Sequence, residues 1–537
     1  MPEEKRHYLP SLETRTRYNI RVPVFVTSAL IAILFITIGL LFLDNIASGL
    51  EALQNQIAVS LGWFYTLTMT IFLLLTLWLA FGKYGGVRLG PDYSRPDYSY
   101  VAWFAMLFSA GMGIGLLFFA VAEPIHHFSI DVPPASGADP GSPQAASDAM
   151  NITFFHWGLH AWGVYILLAL ALSYFAYRVG LPLSLRSTLY PLIGERYRGW
   201  LGDMVDVIAI VGTLFGVATS LGLGAIQINA GLTYVAGIEA SLTLQLAIIA
   251  VISVLAAISV VLGVDAGIRR ISFTNMVLVF ILAAFILAVG PTAFLLQSII
   301  ESIGYYAQNL VQTSTRTDAF VDPDWQQDWT LFYWGWWISW SPFVAMFIAR
   351  ISRGRTIREF VTGVLLVPTA MTFVVLTIFG KMGIYIDMFG DGGVADATSN
   401  ELEFALFAML EHLPWTAALS ILAMVVIAIF FVTSSDSGSL VKDILASGGD
   451  LRPVWQTRLF WASTEGIIAS VLLIAGGATA LAAFQQAAIA MGVPLALLLL
   501  VICYSLWLAL RTEPLDREVT QNTTVKEQVE RHRHSQR

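Results

Sequence analysis

The chain has 537 residues, of which 57% are hydrophobic and 12% charged, with a mean hydropathy of +0.71. A soluble chain is about 25% charged, and half that figure leaves too little polar surface for a water-soluble globule, which excludes a cytosolic enzyme, a nucleic-acid binder and a secreted disulfide scaffold. The net charge of −8 comes with no basic tract suited to polyphosphate, and the single cysteine, Cys503, precludes a disulfide within the chain.

What remains is an all-α polytopic membrane protein. A bilayer-crossing helix needs about 20 mostly apolar residues. Twelve such runs follow in chain order: 23–43, 61–81, 101–121, 152–176, 207–236, 243–263, 272–297, 330–349, 360–380, 415–440, 459–475 and 486–510. The first is not a cleavable signal, since a polar arm (1–22) precedes it and no small-residue cleavage site follows. The arm, every second loop and the tail hold all but two of the 29 Lys and Arg residues; the intervening loops hold only Arg316 and Lys381. Cytoplasmic loops are enriched in Lys and Arg, so both termini are expected in the cytoplasm. The outer loops are acidic, with Asp131, Asp139 and Asp148 in one and Asp318, Asp322, Asp324 and Asp328 in another. Residues 133–147 read as a flexible outer loop carrying His126-His127 upstream of it, 298–315 as an interfacial helix, and 513–537 as a largely disordered tail.

Span three contains Ser109-Ala110-Gly111-Met112-Gly113-Ile114-Gly115. Three glycines at every second position each weaken a helix by about 1 kcal/mol. Close helix packing on glycine is one reading. Spacing of two puts these glycines on different faces, so the better reading is an unwound segment whose bare carbonyls and amides bind an ion and a substrate. It is not a nucleotide loop, because no strand precedes it.

Span four carries Trp157, Trp162 and Tyr165 within an arc of about 140°, with His160 among them as a proton site or a structural hydrogen bond. Span eight carries Tyr333, Trp336, Trp337 and Trp340 within an arc of roughly 100°, with Trp334 pointing elsewhere. An interfacial aromatic belt accounts for Trp329, Tyr333 and Trp334, but Trp337 and Trp340 lie too deep for one. Aromatic faces clustered without a nearby acid bind quaternary ammonium groups. Span ten carries Thr433-Ser434-Ser435-Asp436-Ser437-Gly438-Ser439. These hydroxyls suit either helix back-bonding or a hard cation such as sodium. Asp436 is a functional candidate by virtue of being ionisable within a span, or a gating or structural partner near its end. No metal-spaced histidine cluster or nucleophile constellation stands out, so no enzyme is expected.

At these residues the chain resembles the betaine/choline/carnitine transporter family. The resemblance rests on WTLFYWGWWISWSPFVAMFIARISRGRTIR (329–358), GMGIGLLFFAVAEP in span three, the Trp-rich start of span four, ATSLGLGAIQINAGL in span five and TSSDSGS in span ten, and extends over about 20–510. It implies a leucine-transporter-type fold: two N-terminal helices (23–100), then inverted repeats at 101–297 and 330–510 separated by a loop and interfacial helix (298–329). It also implies a homotrimer. The aromatic box matches Trp157, Trp162, Tyr165 and Trp337, with Trp340 beside it. The substrate-facing stretch matches Gly111, Met112, Gly113 and Gly115. One sodium site matches the carbonyls of Ser109 and Met112 with the hydroxyls of Thr433 and Ser434. A second would use Thr213 with Phe343, but residue 217, where a second hydroxyl is expected, is Val217; Thr219 and Ser220 lie on other faces.

The resemblance implies a secondary active importer of quaternary ammonium compounds in a bacterial inner membrane. The coupling ion is sodium or a proton, and there is no other cofactor. The substrate carries a trimethylammonium or sulfonium group, and no nucleic acid is involved. Gly115 stands where some choline carriers of the family place an acid. A box free of acids suits a zwitterion, glycine betaine or dimethylsulfoniopropionate, over choline. An ion channel and an osmosensor are the rivals from other classes.

Overall fold

The computed structural model describes residues 18–111, 113–262, 265–320 and 324–513. In hydrocarbon, backbone N–H and C=O groups find partners only within the protein, and the apolar runs accordingly become helices. In chain order these are α1 (Val22–Leu41), α2 (Leu43–Phe81), α3 (Tyr100–Gly111), α4 (Ile114–Ile125), α5 (Pro143–Trp157), α6 (Leu159–Ser173), α7 (Tyr190–Ile193), α8 (Trp200–Ala236), α9 (Leu242–Leu262), α10 (Asp265–Val289), α11 (Thr292–Ser314), α12 (Asp324–Gln326), α13 (Phe332–Ile351), α14 (Ile357–Phe389), α15 (Val394–Asn400), α16 (Ala405–Glu411), α17 (Thr416–Ala446), α18 (Trp455–Gly476) and α19 (Ala480–Arg511). Among the described residues there is no β-sheet, only one isolated bridge between Arg88 and Thr356.

Ten helical segments are long and apolar enough to cross a membrane. Two of the twelve apolar runs fall outside that set. Run three is cut into α3 and α4, each of 12 residues and too short to span alone. Run eight is α13, a 20-residue helix whose tryptophans and serines hold its hydropathy down.

Several boundaries differ from the sequence reading. α5 begins at Pro143, its first turn capped by the Ser142 hydroxyl, which accepts from the Ala145 N–H at 3.2 Å. The last third of the expected loop 133–147, from Pro143 on, is therefore helix, and the rest is loop. The chain beyond Ile125 does not leave the bundle; a π-turn, His126–Ile130, extends α4 and buries His127 completely. The interfacial helix starts at Thr292, not 298. α17 continues to Ala446, so Asp436 lies well within a helix and not at its end. The expected tail lies outside the described residues beyond Glu513.

Two glycines break the helices that carry the chemistry. Gly113 is extended between α3 and α4 (φ −135°, ψ −162°), and Gly158 takes φ −99°, ψ −131° between α5 and α6. The first break was expected from the glycine stretch; the second has no such pattern around it. At the first break the Leu116 N–H donates to the Gly113 carbonyl at 3.2 Å, and Gln227 of α8 donates to the Leu117 carbonyl at 3.1 Å. α13 is the central element and packs against α6, α8 and α19; α17 packs against α8.

Close approach of α13 and α19 sets the orientation of the tryptophan face. A Cβ added at Gly335 would lie 2.7 Å from the Ile489 Cα, and one at Gly492 would lie 2.9 Å from the Gly335 Cα. Small residues at such crossings let helix backbones meet. Gly335→Val should therefore force the helices apart and cost about 1–3 kcal/mol, in the range of core overpacking. Gly304→Ala on α11, where an added Cβ meets nothing within 4 Å, should be neutral. Thermal unfolding of the two variants in detergent checks this, and equal midpoints would contradict the crossing.

Candidate functional site

The aromatic residues named from the sequence meet at the two helix breaks. Trp157 closes α5 one residue before the Gly158 break, Trp162 and Tyr165 follow on α6, and Trp336, Trp337 and Trp340 project from α13. The Trp157 and Trp337 rings are 5.0 Å apart at 71°, and Trp336 and Trp337 stack at 4.7 Å and 14°. Tyr165 lies 6.4 Å from Trp337 and 6.5 Å from Trp340, both edge-on, and 5.8 Å from Trp162. Edge-to-face and offset pairs at such spacings are the favourable aromatic arrangements. All five expected box residues are thus in one cluster, and all are buried. The rings touch one another, so a ligand enters only if they part. Trp334 is outside the cluster, against Phe155 and His160.

The glycine stretch abuts this cluster. An added Cβ at Gly115 would sit 2.2 Å from Trp336 and 3.2 Å from Trp157, and one at Gly113 would sit 3.1 Å from Trp340. These glycines exist so that indole rings can press against the broken backbone. No acid fits at position 115 without displacing Trp336. Gly111 ends α3, and Ser109 lies in its last turn; Met112 lies outside the described residues.

The expectation of a box without acids is overturned by Glu123, a residue of α4 with no solvent exposure. Its Oε2 accepts from the Trp157 indole N–H at 2.8 Å and from the Tyr333 hydroxyl, and its Oε1 lies 2.7 Å from His156 Nδ1. Trp337 donates its indole N–H to the His156 carbonyl at 2.8 Å. A carboxylate with three charge-assisted hydrogen bonds therefore stands directly behind one box wall and fixes it. From sequence, Glu123 stands only as a possible counter-charge to a bound cation and not as part of the box, because it lies in an apolar stretch, 33 residues from His156 and 210 from Tyr333. An ionisable residue inside an apolar run was the available signal.

The structural hydrogen bond expected as one reading of His160 is absent. Neither ring nitrogen has a partner in the protein, and the ring packs edge-on against Phe155 at 4.7 Å. His127, assigned from sequence to an outer loop, instead joins Glu123 and His156 in a buried cluster whose ligand-capable atoms lie within 4.8 Å of one another.

The ion-site residues are distributed as follows. Thr433 and Ser434 are buried on α17, and the Thr433 hydroxyl donates to the Ile429 carbonyl at 2.9 Å. Thr213 is buried on α8 with its hydroxyl unpartnered in the protein, while Phe343 rests on Trp340 at 5.5 Å. Val217 packs against Gly438, where an added Cβ would lie 3.1 Å from its side chain. Thr219 and Ser220 turn their hydroxyls back to the Phe215 and Gly216 carbonyls. Asp436 is paired with Arg458 at 3.4 Å, the structural alternative foreseen for it. Beside it, Lys442 bonds Glu465, and the Ser435 hydroxyl donates to the same carboxylate at 2.7 Å.

Comparison with known proteins agrees with this architecture. A family model described as the betaine/carnitine/choline family transporter matches residues 23–515. A glycine betaine transporter of Acinetobacter baylyi is 45% identical over 507 residues, covering 94% of this chain and 76% of its own. Glycine betaine transporter 1 of Vibrio parahaemolyticus is 44% identical over 500 residues, covering 92% and 95%. A glycine betaine transporter of Bacillus subtilis is 43% identical over 478 residues, covering 88% and 91%. With ten apolar helices long enough to cross a bilayer and a family match over nearly its whole length, the chain belongs to the betaine/carnitine/choline transporter family of multi-pass membrane proteins.

Proposed function

We propose that the protein imports glycine betaine or a close zwitterionic analogue, such as dimethylsulfoniopropionate, by secondary active transport. The observation that carries this is the closed cluster of Trp157, Trp162, Tyr165, Trp337 and Trp340 against the backbone break at Gly113. Aromatic faces hold the quaternary ammonium group, and the amides freed around 111–115 receive the carboxylate. Relatives at 43–45% identity bear the name glycine betaine transporter. The protein functions in a bacterial inner membrane as a homotrimer, with both termini in the cytoplasm; the basic residues confined to alternate loops support that orientation.

The driving ion is sodium, bound by the Thr433 and Ser434 hydroxyls with backbone carbonyls of Ser109 and Met112. Thr213, with its unpartnered hydroxyl, is what remains of a second site near Phe343, where Val217 supplies no oxygen. One charge crossing 100 mV supplies about 2.3 kcal/mol, and a tenfold ion gradient about 1.4 kcal/mol. A single co-transported cation thus supports a few-hundredfold accumulation of a zwitterion, and a proton would supply the same electrical term.

Glu123 favours a second reading, choline import. A buried cation without a counter-charge is costly, and the carboxylate hydrogen-bonded to the back of Trp157 offers one. A relative in Vibrio parahaemolyticus, 42% identical over 501 residues, is named for glycine betaine, proline, choline and ectoine.

Three measurements test these assignments. Trp337→Ala should raise the apparent Kd for glycine betaine roughly thirtyfold, the loss of a desolvated cation–π contact of about 2 kcal/mol. Trp334→Ala, off the cluster, should change it far less among protein that remains folded; equal losses would reject the box. The double variant Thr433→Ala/Ser434→Ala should abolish the sodium dependence of substrate binding in proteoliposomes, and a retained dependence would move the ion elsewhere. Competition between choline and betaine in wild type and Glu123→Gln separates the two substrates: a wild type that prefers choline tenfold, with that preference lost in Glu123→Gln, would favour the second reading over the first.

A further inference from the structure

We infer that Glu123, His127 and His156 form a binding site for a divalent transition-metal ion of the zinc class, set behind the aromatic box. Two histidines and one glutamate are a common zinc donor set, and imidazole with carboxylate suits zinc over hard cations such as magnesium. All three side chains are fully buried, and their ligand-capable atoms lie within 4.8 Å of one another.

The hydrogen bonds around the cluster leave a gap shaped for a cation. His127 presents Nδ1 to the Asp131 carbonyl at 3.4 Å, which directs the bare Nε2 at Glu123 Oε1, 4.0 Å away. That Nε2 has no hydrogen-bond partner in the protein. An imidazole lone pair and a carboxylate oxygen facing each other repel unless something positive lies between. A proton bridges donor and acceptor at about 2.7–3.2 Å and falls short of this separation. Ligand atoms of one tetrahedral zinc, each about 2.0–2.1 Å from the metal, lie about 3.3–3.4 Å apart, so this separation closes by roughly half an ångström on binding. His156 contributes Nδ1, at 2.7 Å from the same oxygen, while its Nε2 lies 3.0 Å from the Thr330 hydroxyl. In the metal-free cluster Nδ1–H donates to that oxygen; zinc displaces this proton, as metal binding to histidine does, and the ring then carries its hydrogen on Nε2, which Thr330 is placed to accept. Each candidate ligand is thus held from behind: His127 by a backbone carbonyl, His156 by Thr330, and Glu123 by Trp157 and Tyr333. Outer partners of this kind orient metal ligands and tune their affinity.

His126, partly exposed, and Asp131, about half exposed, lie at the rim beside the cluster, on the side that the acidic loops assign to the exterior. Metal held at Glu123 Oε1 and His156 Nδ1 would shift both groups, and with them the Trp157 indole bonded to Oε2 and the Trp337 indole bonded to the His156 carbonyl. Zinc and substrate binding are thereby linked, and the site functions as an inhibitory control from outside the cell.

Calorimetric titration of the purified full-length protein with zinc chloride, in chelator-free buffer, tests the site. Wild type should bind one zinc per protomer more than His127→Gln; His532 and His534 of the tail are common to both proteins and cancel in the comparison. Thr330→Val should weaken the same zinc roughly tenfold to a hundredfold, as removal of an outer partner does, and covers the case of a His127 variant that fails to fold. Magnesium should give no heat. Both variants should keep glycine betaine uptake within about twofold in zinc-free medium, whereas external zinc should depress uptake by wild type alone. Identical zinc isotherms for wild type, His127→Gln and Thr330→Val would overturn the site, as would a wild-type cluster that responds to pH and not to zinc. Uptake unaffected by zinc at saturation would overturn its link to the box.

Discussion

Backbone hydrogen bonding inside a membrane constrains everything else in this protein. A helix can be opened at mid-bilayer only where the freed amides and carbonyls are covered by protein. The break at Gly113 meets that condition because residues 113–117 are buried and Trp336, Trp340 and Trp157 close over Gly113 and Gly115. The tryptophans therefore have two roles that cannot be separated. They shield an opened backbone from lipid, and they present π faces to whatever binds there. Glycine is needed at 115 for the first role, since a Cβ would occupy the place of the Trp336 ring.

Glu123 ties the elements around that break into one unit. It sits on α4, just past the opened segment, and receives donors from Trp157 of α5 and Tyr333 of α13. His156 links the same carboxylate to Thr330 in the turn that leads into α13. Box walls on separate helices are thus set by a single buried charge. A movement of α4 relative to α13 cannot leave the rings where they are, which gives a mechanical route from helix motion to opening of the box.

Where α8 begins and α17 ends, several buried charges come in pairs. Arg186, fully buried, bonds Asp206 and lies 2.8 Å from Asp203; Lys442 bonds Glu465; Arg458 faces Asp436. Removing one partner of such a pair is far costlier than the net worth of the pair. Two of these pairs join α17 to α18 and the third joins α8 to the 185–189 turn, so charge tethers neighbouring elements at that end of the bundle.

The sequence by itself determined the membrane class, the approximate position of each helix, the broken third span and the aromatic faces of spans four and eight. Each of these is local: an apolar run, a glycine spacing or a helical period is written within some twenty residues. Trp157, Tyr165, Trp337 and Trp340 could be named as one box because their chemistry and period marked them, although their meeting needed the fold. Only the tertiary structure decided that Glu123 backs that box, that His127 is buried beside it and not in a loop, and that Gly158 opens a second helix. The reason is the same in every case. An isolated acid or histidine in an apolar run is identical on the page whether it meets a partner or not, and the partners here lie 33, 34 and 210 residues away from Glu123, beyond the reach of any periodicity.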